Sequence, residues 1–204
     1  MKTIIFLGDS ITAADRLNSE NPLGLGYVNI FSESLNKSAE DWYIFNKAVD
    51  GNVTEQVASR LHSDCIAFHP DYVSILVGVN DIGRIAQADV SEQEKLYMLE
   101  DSIRSYHEML FDLSRETSAK VITLEPFILP FGEEYQNWMP WQQKMSKNIK
   151  KLARNYGASF IPLQEPLMAK TAELGHKTVT ADCIHLTSTG QQILADIIKN
   201  AFSL

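Results

Sequence analysis

Cysteine is scarce in this chain, since Cys65 and Cys183 are the only two in 204 residues. Small secreted domains that lack a large core are held together by several disulfides, and two cysteines cannot supply such a framework. We therefore expect both side chains to stay as thiols and the fold to depend on a hydrophobic core. A chain of this length suits one domain with a sizeable core, so we expect residues 1–204 to form a single domain.

Basic residues are outnumbered by acidic ones. The sequence has 18 lysines and arginines against 26 aspartates and glutamates, and its formal net charge is −8. Non-specific binding to nucleic acid needs a basic face that neutralises phosphates. The charge balance therefore argues against a nucleic-acid partner, and it disfavours an anionic membrane surface for the same reason.

Long apolar runs are also missing. The run Thr3–Leu7 near the start is too short for the core of a signal peptide, and no small-residue cleavage site follows it. No window approaches the roughly 18 apolar residues of a membrane-spanning helix. We therefore predict a cytoplasmic protein without a membrane span.

What the sequence does contain is a series of short apolar runs with longer segments between them. Runs that are continuous rather than alternating indicate strands covered on both faces, as in a parallel sheet. The predicted strands are Thr3–Leu7, Trp42–Phe45, Tyr72–Val77, Lys120–Leu124 and Ser159–Ile161.

The intervening segments place apolar residues three and four apart, which is typical of helices. The predicted helices are Tyr27–Leu35, Val53–Leu61, Glu92–Leu113, Trp141–Tyr156 and Ser188–Phe202. Strands that alternate with helices predict an α/β fold, a three-layer α/β/α sandwich with about five parallel strands. In such sheets, ligands bind at the carboxyl ends of the strands.

The residues at those carboxyl ends form a set that can transfer acyl groups. Ser10 follows the first strand, and Asp182 and His185 precede the last helix. A serine hydroxyl becomes nucleophilic when a histidine takes its proton, and an acidic group must hold the imidazole in the right tautomer. We assign these catalytic roles to Ser10, His185 and Asp182.

Acyl transfer also needs donors for the oxyanion that forms on the attacked carbonyl. The backbone N–H groups of Ser10 and Gly51 and the side-chain amide of Asn80 are the predicted oxyanion-hole donors. Each motif alone is a common turn. The prediction depends on their joint position at the strand ends.

These motifs resemble the blocks of the SGNH (GDSL) hydrolases, in particular the small single-domain bacterial esterases. The resemblance covers nearly the whole chain, in the blocks Gly8-Asp9-Ser10-Ile11-Thr12, Asn46 to Asn52, Gly78-Val79-Asn80-Asp81 and Asp182 to His185. It implies a flavodoxin-like sandwich, an ester hydrolase with the triad and oxyanion hole named above, a small-molecule ester substrate, and no cofactor or metal.

The chain departs from the family pattern at a few positions. Ala48 stands where the second block usually has a glycine, and its methyl group could shift the turn that presents Gly51. Cys183 and Leu186 stand where the last block usually has glycine and proline. None of these changes removes a predicted catalytic group, so they bear on efficiency and pocket shape.

Several alternatives stay open at this point. The leading hypothesis is an esterase that removes small acyl groups such as acetyl from a carbohydrate. A lysophospholipase or thioesterase, an acyltransferase, and a non-catalytic carbohydrate-binding module are the others. Trp138 and Trp141 could line the substrate pocket or pack between helices. The oligomeric state is open, with a homo-oligomer as one alternative. An α/β-hydrolase is excluded because no Gly-x-Ser-x-Gly elbow occurs.

Overall fold

The computed structural model describes residues 2–35, 41–133 and 135–202. Within these residues, five parallel strands form one sheet in the order β2-β1-β3-β4-β5. The strands are β1 (Lys2–Gly8), β2 (Trp42–Asn46), β3 (Tyr72–Leu76), β4 (Lys120–Leu124) and β5 (Ser159–Ile161). All five agree with the predicted strands to within one residue at either end.

Helices cover both faces of the sheet. The α-helices are α1 (Ser10–Ala13), α2 (Tyr27–Leu35), α3 (Thr54–Ser59), α4 (Leu61–Asp64), α5 (Val79–Gln87), α6 (Glu92–Glu116), α7 (Met139–Asn155), α8 (Gln164–Leu174), α9 (His176–Val179) and α10 (Ser188–Phe202), with short 3₁₀ helices at Ile66–Phe68 and Gln136–Trp138. Helix α2 packs against α10 in one layer, and α3 and α7 pack against α6 in the other. The predicted α/β/α sandwich is confirmed.

The centre of the sheet is apolar except for Ser74, which is buried in β3. Every residue of β3 is buried, and Ile4 to Leu7 of β1 are completely inaccessible to solvent. Phe6 extends this core into the first helical layer through edge-to-face contacts with Tyr27 and Phe31. Because both faces of these two strands are covered, their sequences are nearly continuous apolar runs.

Helices α5 and α8 are the main elements that the sequence did not predict. We read Gly78 to Asp81 as a turn, whereas Val79 begins a helix that continues to Gln87. Gly78, with φ of 133°, adopts the backbone conformation that starts it. The buried apolar residues Val79, Ile82 and Ile85 of α5 do follow helical spacing, but Asn80 and Asp81 directly after a glycine are also typical turn residues.

The strand order places a switch point between β1 and β3. Strand β2 lies beside β1 on one edge, and the chain then crosses back so that β3 lies on the other edge of β1. Crossover loops diverge at such a point, which leaves a crevice beyond the carboxyl ends of the strands.

Among the described residues, no helix has the length and apolar character needed to cross a membrane.

Candidate active site

A continuous chain of hydrogen bonds joins three of the predicted site residues at this crevice. The Oγ of Ser10 lies 2.9 Å from Nε2 of His185. The Nδ1 of the same ring lies 2.6 Å from Oδ2 of Asp182. Nδ1 therefore donates to the carboxylate, which leaves Nε2 to accept the serine proton.

The loop that carries Asp182 and His185 is held by its own backbone. Oδ1 of Asp182 accepts bonds from the backbone N–H groups of Ile184 (3.1 Å) and His185 (2.7 Å). Partial burial pushes the pKa of Asp182 upwards, but the hydrogen bonds from the His185 side chain and from both N–H groups outweigh it. The pKa therefore lies below its ordinary value, and Asp182 stays ionised beside the imidazole.

Asp9 shapes the turn that presents Ser10. It is the N-cap of α1, where its Oδ1 accepts from the N–H of Ile11 at 3.1 Å. Its side chain is buried, and Oδ2 has no hydrogen-bond partner. Burial raises the pKa of Asp9 to about 7, and the nearby charge of Asp81 acts in the same direction. The residue before Ser10 therefore carries a neutral carboxylic acid over part of the pH range.

The second predicted block forms a loop after β2. Asn46 anchors it, since its side-chain Nδ2 donates to the backbone carbonyls of Thr12 (2.7 Å) and Leu23 (2.8 Å). Gly51 has φ of +73°, a left-handed conformation that favours glycine. Ala48 is fully buried and does not have a positive φ, so an alanine fits this turn without backbone strain.

The third block joins this loop through Asn80, in the first turn of α5. Its side-chain amide donates to the backbone carbonyl of Asn52 at 3.0 Å. An amide carries two N–H donors, and this bond uses one of them. The segments that carry two of the three predicted oxyanion donors, Gly51 and Asn80, are therefore hydrogen-bonded to each other.

The side chain of Asp81 stabilises the segment that follows the Gly51 loop. Its carboxylate accepts from the backbone N–H of Thr54 (3.0 Å) and from the Thr54 hydroxyl (3.0 Å), which fixes the start of α3 after the Gly51 loop. Burial raises the pKa of Asp81 above its ordinary value. Asp9 and Asp81 therefore each stabilise a turn next to a predicted site residue.

The substrate would enter a cleft of about 370 Å³ beside Ser10 and His185. One part of its wall is apolar and is formed by Ile11, Ala14, Leu25 and Leu186. The other part is polar and is formed by Asp15, Asp50, Ser188 and Gln191. Among the described residues, no lysine or arginine lines this cleft.

Two tryptophans predicted near the site are packed in the interior of the protein. Trp138 and Trp141 are 8% and 5% exposed, so both lie in the packed interior. A Cβ on Gly83 of α5 would come within 2.6 Å of the Trp138 ring, which shows how closely this ring packs on the helix. Neither residue lines the cleft, and packing between helices accounts for both.

The sequence did not indicate that Arg16 and Arg60 donate hydrogen bonds to backbone carbonyls around the site. The Nε of Arg16 donates to the backbone carbonyl of Ala48, in the loop that carries Gly51. Arg60 was not singled out at all, because it falls on a predicted helix where a surface arginine is ordinary. Its guanidinium reaches the carbonyls of Gly8 and Lys47.

The remaining chemistry-bearing residues add no second centre. Among the described residues, no group of three or more His, Cys, Asp or Glu side chains is placed to hold a metal ion. Cys65 and Cys183 are both buried and form no disulfide within the described ranges. A separate cavity of about 490 Å³ lies between α3, α5 and α6 and reaches Asp81 but not Ser10.

Comparison with known proteins places this site in a family. The family model of the GDSL-like lipases/acylhydrolases matches residues 6–193. An acetylxylan esterase from Geobacillus stearothermophilus is 28% identical over 202 residues, which cover 94% of this chain and 90% of that protein.

Solved structures agree with the fold. A GDSL-like lipase from Parabacteroides merdae has a TM-score of 0.86 at 28% identity, covering 99% of this chain and 95% of that one. The G. stearothermophilus acetylxylan esterase Axe2 has a TM-score of 0.86 at 24% identity, covering 100% of this chain and 94% of that one. Axe2 has also been solved as catalytic mutants with alanine in place of an aspartate, a serine and a histidine.

The match of the family model spans most of the chain and includes all four predicted blocks. The chain therefore belongs to the GDSL-like lipase/acylhydrolase family and is a hydrolase of ester bonds.

Proposed function

We propose that this protein is a serine esterase that removes small acyl groups, acetyl above all, from a hydroxyl-rich small molecule such as a carbohydrate. The observation that carries the proposal is the hydrogen-bond chain from Ser10 through His185 to Asp182, at 2.9 and 2.6 Å. This chain lies in a member of an ester-hydrolysing family.

The proposed reaction has two halves. In the first, Oγ of Ser10 bonds to the ester carbonyl carbon while Nε2 of His185 takes the hydroxyl proton. The carbon–oxygen bond to the alcohol then breaks, and His185 returns the proton to the leaving oxygen. In the second, His185 takes a proton from water as the water oxygen bonds to the acyl carbon. The bond between that carbon and Oγ of Ser10 then breaks, His185 returns the proton to Oγ, and the carboxylic acid leaves. Asp182 stabilises the imidazolium that forms in each half.

The oxyanion needs donors in both halves. We propose the backbone N–H groups of Ser10 and Gly51 and the side-chain amide of Asn80 for this role. The Asn80–Asn52 bond supports it, because it fixes the Asn80 amide relative to the Gly51 loop before substrate binds. Donors that need no reorganisation stabilise the transition state most strongly.

The cleft supports a small and uncharged substrate. Its volume of about 370 Å³ is near the lower end of small-molecule sites. Asp15 and Asp50 are exposed carboxylates in its wall, and they would repel a phosphate group. This weakens the lysophospholipase alternative. The similarity to an acetylxylan esterase supports an acetylated sugar.

Activity on nitrophenyl esters of two, four, eight and twelve carbons tests the proposal. The acetyl ester should give the highest kcat/KM, and the value should fall as the chain lengthens. Acetylated xylo-oligosaccharides should release acetate, and Ser10→Ala should abolish both activities. A preference for long chains would favour the lysophospholipase alternative, and no activity on any ester would favour a binding module. The cytoplasmic location and the oligomeric state stay predictions.

A further inference from the structure

Arg60 lies outside the predicted triad and oxyanion hole, yet its guanidinium contacts several segments of the site. The residue stands between α3 and α4, and its side chain is only 19% exposed. One NH group donates to the backbone carbonyl of Lys47 at 2.5 Å, and the other reaches the carbonyl of Gly8 at 3.4 Å. Nε donates to the side-chain Oδ1 of Asn52 at 3.1 Å.

These partners are the two segments that must be aligned for acyl transfer. The Gly8 carbonyl belongs to the end of β1, two residues before the nucleophile Ser10. Lys47 and Asn52 lie at the two ends of the loop that carries Gly51. Arg60 therefore spans from the turn of the nucleophile to the loop of a proposed oxyanion donor.

Other hydrogen bonds also hold this loop: the Asn80 amide donates to the Asn52 carbonyl at 3.0 Å, and the Nε of Arg16 donates to the Ala48 carbonyl. Within it, the N–H of Asn52 donates to the carbonyl of Val49 at 3.2 Å, and the N–H of Val49 donates to the Gly8 carbonyl at 3.1 Å. Gly51 itself makes no close side-chain packing, since a Cβ built on it would have no atom within 4 Å. The position of its N–H therefore depends on the contacts of its neighbours in the loop.

Only an arginine can make this set of contacts. Its planar guanidinium presents donors in fixed directions, so one side chain reaches Gly8, Lys47 and Asn52 at once. A lysine carries a single ammonium at the end of a flexible stem and cannot span three acceptors that lie apart. The carboxylate of Asp64, 2.5 Å from the guanidinium, pairs with the charge and holds the fork in place.

We propose that Arg60 is a positioning residue for the esterase reaction, one that sets the Gly51 loop against the Ser10 turn so that the oxyanion donors converge. The inference rests on the proposed function. Arg60 does not line the cleft, so it acts through the backbone it holds and not by contact with substrate. A displacement of about 1 Å in such a site can cost roughly 100-fold in rate.

The test compares Arg60→Lys, Arg60→Ala and the control Arg104→Lys on nitrophenyl acetate. Arg104 is 63% exposed and pairs with Asp101 on α6, so its change tests the loss of a surface guanidinium. We expect both Arg60 variants to lose on the order of 10- to 100-fold in kcat with KM changed less than about threefold. Guanidinium ion should restore part of the kcat of Arg60→Ala, and Arg104→Lys should match the wild type.

The rate of inactivation by a phosphonate ester provides a second readout, since its adduct carries an oxyanion like that of the reaction. This rate should fall in parallel with kcat.

If Arg60→Ala does not fold, two other variants test the role of Arg60. Arg60→Lys and Asn52→Ala, which removes the acceptor of Nε, should also lower kcat with little change in KM. Normal kcat in folded Arg60→Lys, or a loss confined to KM, would overturn the inference. Esterase activity that persists in Ser10→Ala would instead overturn the proposed function.

Discussion

The side-chain amide of Asn80 donates to the backbone carbonyl of Asn52 at 3.0 Å, so the first turn of α5 is hydrogen-bonded to the loop that follows β2. Parallel strands bring their carboxyl ends to one edge, but this edge is wide. The bond joins two segments that follow strands on opposite sides of β1, and Ser10 lies just after the carboxyl end of β1.

Replacement of Asn80 by alanine should therefore reduce kcat by roughly 100- to 1,000-fold, the usual effect of removing one oxyanion donor. KM should change little, because the amide acts on charge that forms only in the transition state. Steady-state kinetics on nitrophenyl acetate measures both. Asn148→Ala is the matched control, since its amide also donates to a backbone carbonyl, that of Lys144, away from the site. Equal losses in the two variants would contradict the role of Asn80.

Gly51 and Gly132 form a second matched pair. Both have a positive φ, +73° and +64°, and a Cβ would meet nothing within 4 Å at either position. Alanine should therefore cost a similar roughly 1–2 kcal/mol of stability at both sites through backbone strain alone. Only Gly51→Ala should lower kcat, by at least about tenfold, because its N–H would move. Urea unfolding with kinetics checks this, and an equal kcat in both variants would count against Gly51 as a donor.

Asp182 should matter through the tautomer of His185. In Asp182→Asn the amide replaces a carboxylate that accepts from Nδ1 at 2.6 Å, so the imidazole loses the partner that keeps Nε2 unprotonated. A loss of roughly 1,000- to 10,000-fold in kcat is expected. Asp196→Asn, an exposed aspartate that accepts from Gln192 on α10, serves as the control. A residual activity above about one-tenth of wild type would argue against the assignment.

The pH dependence of stability should contain a contribution from Asp9. Burial raises its pKa from 3.8 to about 7, with Asp81 adding to the rise and His185 opposing it. The folded protein therefore binds this proton more tightly than the unfolded chain does. The stabilisation is fully present below about pH 4 and is lost as the pH rises through about 7, by up to about 1.4 kcal/mol for each pH unit.

Asp9→Asn removes this titration and keeps a side chain that can cap α1. The free energy of unfolding of the variant, measured with urea between pH 4.5 and 8, should therefore vary less with pH than that of the wild type. Asp101→Asn, whose side chain is 69% exposed, should leave the wild-type pH dependence in place. Identical curves for Asp9→Asn and the wild type would mean that Asp9 is ionised throughout.

The strands of the sheet could be predicted from the sequence, but most of the residues that position the candidate site could not. The strands were predictable because burial on both faces leaves continuous apolar runs such as Ile4 to Leu7. Helices α5 and α8 were not: Asn80 and Asp81 after Gly78 are typical turn residues, and α8 buries only Leu167, so it lacks a clear apolar stripe. The hydrogen-bond chain of Ser10, His185 and Asp182 joins residues up to 175 positions apart, and only the fold argument and the family blocks link them.

Arg60 illustrates why the rest could not be predicted. A surface arginine on a helix and one that bridges two loops have the same local sequence pattern. The difference depends on where the carbonyls of Gly8 and Lys47 lie, and those positions exist only in the folded chain. Trp138 is a similar case, since its burial against Gly83 depends on a helix that the sequence did not reveal.

Mass spectrometry after treatment with a phosphonate serine probe shows directly whether Ser10 is the residue that attacks the ester carbonyl. We expect a single adduct on Ser10, loss of esterase activity in proportion to labelling, and no adduct in Ser10→Ala. A protein that stays unmodified at Ser10 while it still hydrolyses esters would contradict this role of Ser10.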